Sequence, residues 1–308
     1  MYHDRAEFST ATISTTPSMN DSDTLSRFLF EHAGIRGNIV HLDASWQAVL
    51  SAHEYPETVR NPLGEALAAV SLLSATIKFD GSLILQAQGS GPIRTLVAQA
   101  THEHTIRGLA RWSGEVPTEQ GLDACFGEGR LVLTVEHEDG EPYQGVVPLE
   151  GQQLSEAIES YFGQSEQLPT RLWLAASADR AAGLLLQRMP GSETIDEDWE
   201  RICMLAATIT PEELVELPSD QLLHRLFHEE SVRLFDPEPM AFRCSCSRTR
   251  IENTVKLLGE NEVDSILAEQ GSIQVTCEFC NREYRFDPVD TRQLFAEHTR
   301  HETPTSQH

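Results

Sequence analysis

Four cysteines in the last quarter of the chain constrain its fold more than any other feature. Cys244-Ser-Cys246 and Cys277-Glu-Phe-Cys280 are separated by thirty residues, Ser247 to Thr276. Two close pairs at the ends of a short segment are the layout of a tetrathiolate zinc site, with each pair on its own turn. The one-residue gap of the first pair is tighter than the usual two to four. Between and around the pairs the apolar content is modest: Val255, Leu257, Leu258, Val263, Ile266, Leu267, Ile273 and Val275. A core of that size supplies only a few kcal/mol, against roughly 10–16 kcal/mol from a structural zinc ion. Residues 243–299 are therefore expected to form a small module that unfolds when its Zn²⁺ is lost.

Arg243, Arg248, Arg250, Arg282 and Arg285 flank these ligands in a chain of 48 acids and 23 bases. Cations beside sulfur favour thiolate over thiol, which supports metal binding and keeps the sulfur nucleophilic. Once an oxidant converts one thiolate to a sulfenic acid, a neighbouring thiolate can resolve it to a disulfide. Pairing Cys244 with Cys246 and Cys277 with Cys280 closes the shortest loops, but four cysteines allow three pairings and spacing leaves the crossed ones open. Cys277 and Cys280 are expected to react first, since their two-residue gap closes the less strained ring. Spacing is equally compatible with a purely structural zinc and with an oxidation switch. Cys125 and Cys203 lack a partner at useful spacing and read as small buried hydrophobes. His224 and His228 stand four apart but have no third ligand, and read as surface residues.

The formal charge of −25 argues against a nucleic-acid partner, because phosphate binding needs a basic face. No membrane span is expected: the most apolar run, Leu63 to Phe79, contains Glu65 and Lys78 and falls short of roughly 18–20 apolar residues. Residues 1–22 are polar, lack a basic stretch followed by an apolar one, and are expected to be a disordered extension rather than a secretory signal. Residues 300–308 read as a polar tail. A reducing, cytoplasmic setting follows, in which closely spaced thiols signal metal or redox chemistry. GxSxG, HExxH and GxxxxGK[ST] are all absent, and Gly89 and Gly91 lack the spacing of a phosphate loop. No enzyme is expected.

Residues 23–190 read as an α+β domain. Arg36–Asp43 alternates like a strand and Ala44–His53 reads as a helix. Asn61-Pro62 is a sensible start for a buried helix through Ile77. Ser82–Gln88 with Ile93–Ala100, and Arg130–Glu136 with Pro142–Pro148, read as hairpins, the second around Asp139-Gly140. Leu154–Phe162 has helical spacing, and Arg171–Ala178 and Ala182–Met189 read as strands. Composition shifts at Pro190-Gly191: residues 191–242 hold thirteen acids against three bases. Helix signals are dense there. Thr210-Pro-Glu-Glu213 is a capping box, and Ser219 can cap a helix whose Leu222, Leu223, Leu226 and Phe227 form one apolar stripe. Short, highly charged helices make this an acidic, helical and only marginally stable linker.

The chain closely resembles the heat-shock protein 33 family, the 33 kDa chaperonins, over nearly all of its length after about residue 25. The resemblance is carried by Leu63-Gly-Glu-Ala-Leu-Ala-Ala69, Leu85-Gln-Ala-Gln-Gly-Ser-Gly-Pro92, Tyr143-Gln-Gly-Val-Val147 and Tyr161-Phe-Gly-Gln-Ser-Glu-Gln-Leu-Pro-Thr170. Arg225-Leu-Phe-His-Glu-Glu230, Phe242-Arg-Cys-Ser-Cys-Ser247 and Val275-Thr-Cys-Glu-Phe-Cys280 extend it. It implies a redox-regulated, ATP-independent holdase with an N-terminal mixed sheet and helix domain, a helical linker and a Cys₄ zinc module. Reduced, Cys244, Cys246, Cys277 and Cys280 would hold zinc and keep the chaperone silent. Oxidised, they would form the Cys244–Cys246 and Cys277–Cys280 disulfides and release zinc, and the module and linker would unfold. The protein would then form a homodimer, bind unfolding client proteins and later pass them to ATP-dependent foldases. Leu222, Leu223, Leu226 and Phe227 become the candidate client surface. Two rivals stand beside this reading: a thiol-disulfide oxidoreductase using Cys277 and Cys280, and a constitutive binding module with a structural zinc. The extended N-terminus, Cys125 and Cys203 depart from the family pattern.

Overall fold

The computed structural model describes residues 23–118, 121–191 and 195–301, and the side chains of these up to residue 296. The expected extension at 1–22 and most of the expected tail at 300–308 lie outside the described residues. Three sheets and ten helices account for this part of the chain, and the mixed α+β class expected from the sequence is the one observed.

The first sheet contains β1 (Thr24–Phe30), β2 (Ile35–Leu42), β8 (Thr170–Ala176) and β9 (Ala181–Arg188), ordered β1-β2-β9-β8 and antiparallel throughout. The second contains β3 (Ser82–Gly89), β4 (Ile93–Thr101), β5 (Thr105–Trp112), β6 (Gly129–Glu136) and β7 (Tyr143–Pro148), ordered β5-β4-β3-β6-β7. Helix α1 (Ala44–Leu50) follows β2, α3 (Leu122–Phe126) precedes β6, and α4 (Leu154–Tyr161) runs into a π-turn, Phe162–Glu166. Helix α2 (Glu57–Ser74) lies between the two sheets and contacts both. Its residues from Leu63 to Leu73 are buried almost without interruption, which is why that run carries so few polar side chains.

Strands β2 and β9 are covered on both faces, so they read as continuous apolar runs rather than as alternating ones. Val40, Leu42, Ala181 and Leu185 face α2 within the larger core. Ile35, Ile39, Ala182, Leu184 and Leu186 face the other way. What covers that second face is α5 (Asp196–Ala206), α6 (Pro211–Glu216) and α7 (Ser219–Phe227), the acidic segment after Gly191.

That segment is tied down by more than its helices. After α7, β10 (Val232–Leu234) and β11 (Glu238–Pro239) pair with the free edge of β1, and β12 (Ala241–Phe242) crosses to pair in parallel with β5. These three strands are too short for the sequence pattern to reveal. They make 191–242 a strap that embraces the first sheet and ends on the edge of the second. The last module contains α8 (Arg248–Leu258), α9 (Glu260–Gln270), a hairpin of β13 (Ile273–Thr276) and β14 (Glu283–Phe286), and α10 (Pro288–His301).

Several local expectations need correction. Helix α2 starts at Glu57 after Pro56, not at Asn61, and Pro62 sits inside it. A proline one turn into a helix forfeits a single early hydrogen bond, and the buried apolar face beyond it outweighs that loss. Pro218, not Ser219, occupies the N-cap of α7. The capping box at Thr210 is present, with Glu213 N–H donating to Thr210 Oγ1 and Thr210 N–H donating to the Glu213 carboxylate. Leu257 and Leu258, expected in the module's core, are 87% and 50% exposed at the end of α8. Tyr284, Phe286 and Leu294 are buried there instead. Gly89 and Gly91 are required by packing: a side chain at either would collide with the backbone of Phe126 on α3. Among the described residues no helix is long and apolar enough to cross a membrane.

Candidate metal centre

Strand β12 delivers the chain directly to the first cysteine pair. Arg243 N–H donates to the Ile106 carbonyl on β5 at 3.0 Å, and Cys244-Ser-Cys246 follows as a loop. Ser247 ends the loop by accepting from Arg250 N–H, which starts α8. The second pair lies in the turn joining β13 to β14. Asn281 N–H closes that turn on the Cys277 carbonyl at 2.8 Å, and Cys277 N–H bonds the Arg282 carbonyl at 2.9 Å. Asn281 takes a left-handed conformation (φ 58°), which asparagine tolerates better than most residues.

The two turns bring all four sulfurs within 4.8 Å of one another. Cys244 Sγ lies 3.6 Å from Cys277 Sγ, and Cys246 Sγ lies 3.4 Å from Cys280 Sγ. Four thiolates at about 2.3 Å from a tetrahedral metal stand about 3.8 Å apart. The donor set, its number and its spacing therefore fit a metal ion of the zinc type. The closest approaches run between the turns, so proximity by itself does not select the local disulfide pairing. Cys277 and Cys280 sit between two antiparallel strands and not at a helix N-terminus, where a thioredoxin-like dithiol would gain its low pKa.

Proton affinities within the tetrad diverge. Burial would raise the Cys246 thiol, yet hydrogen bonds from the Tyr284 hydroxyl and the neighbouring thiols outweigh it and hold Cys246 at about 7. Burial pushes Cys280 up to about 12, reinforced by the adjacent sulfurs and opposed by a backbone N–H. Burial also raises Cys244. Sulfurs this close do not all ionise without a cation among them. Among the flanking arginines, Arg282 interacts electrostatically with Cys246 and Cys280. Arg243 pairs with Glu103, while Arg248 pairs with Asp290 and stacks on Phe286.

Tyr284 was not legible as a functional residue, but its hydroxyl donates to Cys246 Sγ at 3.2 Å from a buried position. Donors behind a metal ligand fix its orientation and stabilise its charge. Tyr284→Phe keeps the ring and deletes the donor. We expect it to weaken metal binding about tenfold or more, read by competition with a chromogenic chelator. An unchanged affinity would leave the hydroxyl with no part in holding the metal.

The turns also dock on the core. His53 Nε2–H donates to the Glu278 carbonyl at 2.6 Å, and Asn281 Nδ2–H donates to the Ala52 carbonyl at 2.8 Å. Arg107 on β5 bonds Ser245 Oγ at 2.6 Å and lies 4.3 Å over the Phe279 ring, and Arg111 pairs with Glu278. Every one of these module contacts comes from a residue between or beside the ligand cysteines.

Residues 23–287 match the family described as Hsp33 protein. The chain belongs to the Hsp33 family. The 33 kDa chaperonin of Nitrosococcus oceani is 58% identical over 290 residues, covering 94% of this chain and 100% of the relative. The 33 kDa chaperonin of Methylobacillus flagellatus is 49% identical over 281 residues, covering 90% and 96%. The crystal structure of the 33 kDa chaperonin from Thermotoga maritima has the same fold, with a TM-score of 0.80 at 23% identity over 90% of this chain and 99% of that one. Hsp33 membership supports a chaperone function, and the relatives are named as chaperonins rather than as enzymes.

The other residues singled out from sequence fall outside the tetrad. Leu222, Leu223, Leu226 and Phe227 are buried on the first sheet, with the Phe227 ring 5.0 Å from that of Phe30 and 6.4 Å from that of Phe28. Cys125 and Cys203 are half-buried and lie outside the four-sulfur cluster, and burial raises both thiols. His224 and His228 are exposed, with ring centroids 6.1 Å apart.

Proposed function

We propose that this chain is a redox-regulated, ATP-independent holdase, silent when reduced and zinc-bound and active once its four cysteines are oxidised. The observation that carries the reading is the convergence of Cys244, Cys246, Cys277 and Cys280 on turns that also dock the module on β5 and on the turn after α1. Bound zinc would supply charge neutralisation for the thiolates and so keep both turns in shape. Under peroxide or hypochlorous acid a first sulfur loses two electrons and becomes a sulfenic acid. A second thiolate attacks it, water leaves, and a disulfide forms. Loop length and the family resemblance favour Cys244–Cys246 and Cys277–Cys280.

Residues 243–299 are the redox module in this reading, 191–242 the metastable linker and 23–190 the chaperone body. Loss of the turns removes the module's hold on the body. Strand β12 passes the change to the linker, because it is the next segment along the chain. Release of α5–α7 would expose Leu222, Leu223, Leu226 and Phe227, and opposite them Phe28, Phe30, Ile39 and Leu184. Both faces suit unfolding clients. The oxidised form would be a homodimer in the cytoplasm that hands its clients to ATP-dependent foldases when reducing conditions return.

The test uses zinc-loaded protein treated with hypochlorous acid, with zinc release followed by a chelator dye and activity by suppression of a client's thermal aggregation. Zinc release and holdase activity should rise together. Full activity in the reduced, metal-loaded protein would overturn the switch.

A further inference from the structure

A cavity of about 1170 Å³ opens at the seam between the body and the linker. One wall is α2, β8 and the loop before α4; the other is α6, through Pro211 and Val215. Leu154, Leu174, Phe126 and Val215 make much of its surface apolar. Glu65 lines the same space. It stands half-buried on α2, a helix otherwise buried from Leu63 to Leu73, and among the described residues its carboxylate has no hydrogen-bond or ion-pair partner. Burial raises its carboxyl to about 7, the mark of a charge with nothing opposing it. Around the mouth stand Glu57, Asp179, Glu212 and Glu216 against one cation, Arg180, which is already paired with Asp43 at 3.3 Å.

A carboxylate set against apolar walls with no cationic partner is costly unless something meets it. A mixed apolar and polar cavity whose charged lining is predominantly anionic is matched by a positive group carried on an apolar body. We propose that this cavity binds a small organic cation, its ammonium group held by Glu65 and its apolar body seated between β8 and α6. A ligand in that position touches the body and the linker at once. It therefore binds the docked state and not the released one, and by linkage it holds α6 down. The consequence for regulation rests on the proposed function above; the binding itself does not.

The probe is 4-phenylbutylamine, compared with the neutral 4-phenylbutanol and the anionic 4-phenylbutyrate, titrated calorimetrically into the reduced, metal-loaded full chain at pH 8. The amine should bind at least tenfold more tightly than the alcohol, and the acid least. Glu65→Gln should cost the amine at least tenfold and leave the alcohol nearly unchanged. Val215→Trp, which fills the α6 side of the cavity, should weaken both amine and alcohol. Equal affinities for amine and alcohol, or an amine indifferent to Glu65→Gln, would overturn the site. Hydrogen exchange in α6 should slow when the amine is bound; unchanged exchange with measurable binding would overturn the bridge. Neither readout involves oxidation, so failure here is distinct from failure of the redox switch.

Discussion

Replacing Leu222 and Leu226 together with glutamate should yield a reduced, metal-loaded protein that already suppresses client aggregation. Both side chains lie at the centre of the face that α7 presents to the first sheet, 0% and 3% exposed. Emptying each leucine site costs about 2–5 kcal/mol, and a carboxylate has no cation to meet in that cluster of aliphatic and aromatic side chains. The combined penalty approaches the whole stability of a typical domain, about 5–15 kcal/mol. The chain relieves it locally by releasing α7 from Phe28 and Phe30. Helix α6 is weakened in turn, since Arg225 on α7 binds Glu213 at 2.6 Å. The opposite side of the sheet packs on α2 in a separate cluster and keeps the body folded. Hydrogen exchange should show fast exchange in α5–α7 with β3–β6 still protected, and aggregation assays should show activity without oxidant. If reduced-state silence and oxidised activity both survive the double substitution, the stripe has no switching role.

Local chemistry was legible in the sequence and long-range docking was not. The tetrad follows from cysteine spacing because each pair sits on a single turn, so its geometry is set within a few residues. The hairpins follow from their turn dipeptides for the same reason. Strands β1 and β5 escaped notice, since one is half polar and the other carries Arg107 and Arg111. Those arginines face partners far along the chain: Ser245 is 138 positions from Arg107, and Glu278 is 167 from Arg111. His53 and Glu278 are 225 apart. No periodicity encodes such pairings. The stripe on α7 was visible as a stripe, but the sheet face it covers was hidden inside strands buried on both sides. His41, whose Nε2–H donates to the Leu214 carbonyl at 3.1 Å, gave no sign that it anchors α6. In the sequence Glu65 is only an interruption in an apolar run, because a lone acid in a helix looks the same whether it faces solvent or a cavity.

Stripping the metal from the reduced protein should melt residues 243–296 while leaving both large sheets intact. The module's own core is small: Val255, Val263, Ile273, Tyr284, Phe286 and Leu294, with the Cys277 side chain among them. Part of its apolar content is spent on the surface, with Leu257 87% exposed. Against that stands a metal contribution of roughly 10–16 kcal/mol, more than so few buried side chains replace. Melting removes the docking contacts as well, because Ser245, Glu278, Phe279 and Asn281 hold their positions only through the two turns. A strong chelator under full reduction should therefore erase exchange protection from α8, α9, β13 and β14. Cys246→Ser with Cys280→Ser should do the same without chelator. The linker should loosen next, from β12 inward, and the core strands β3, β4 and β6 last or not at all. A module that stays protected after stoichiometric metal loss would show that its fold does not depend on the tetrad. Oxidation of the cysteines would then have no structural route to the linker.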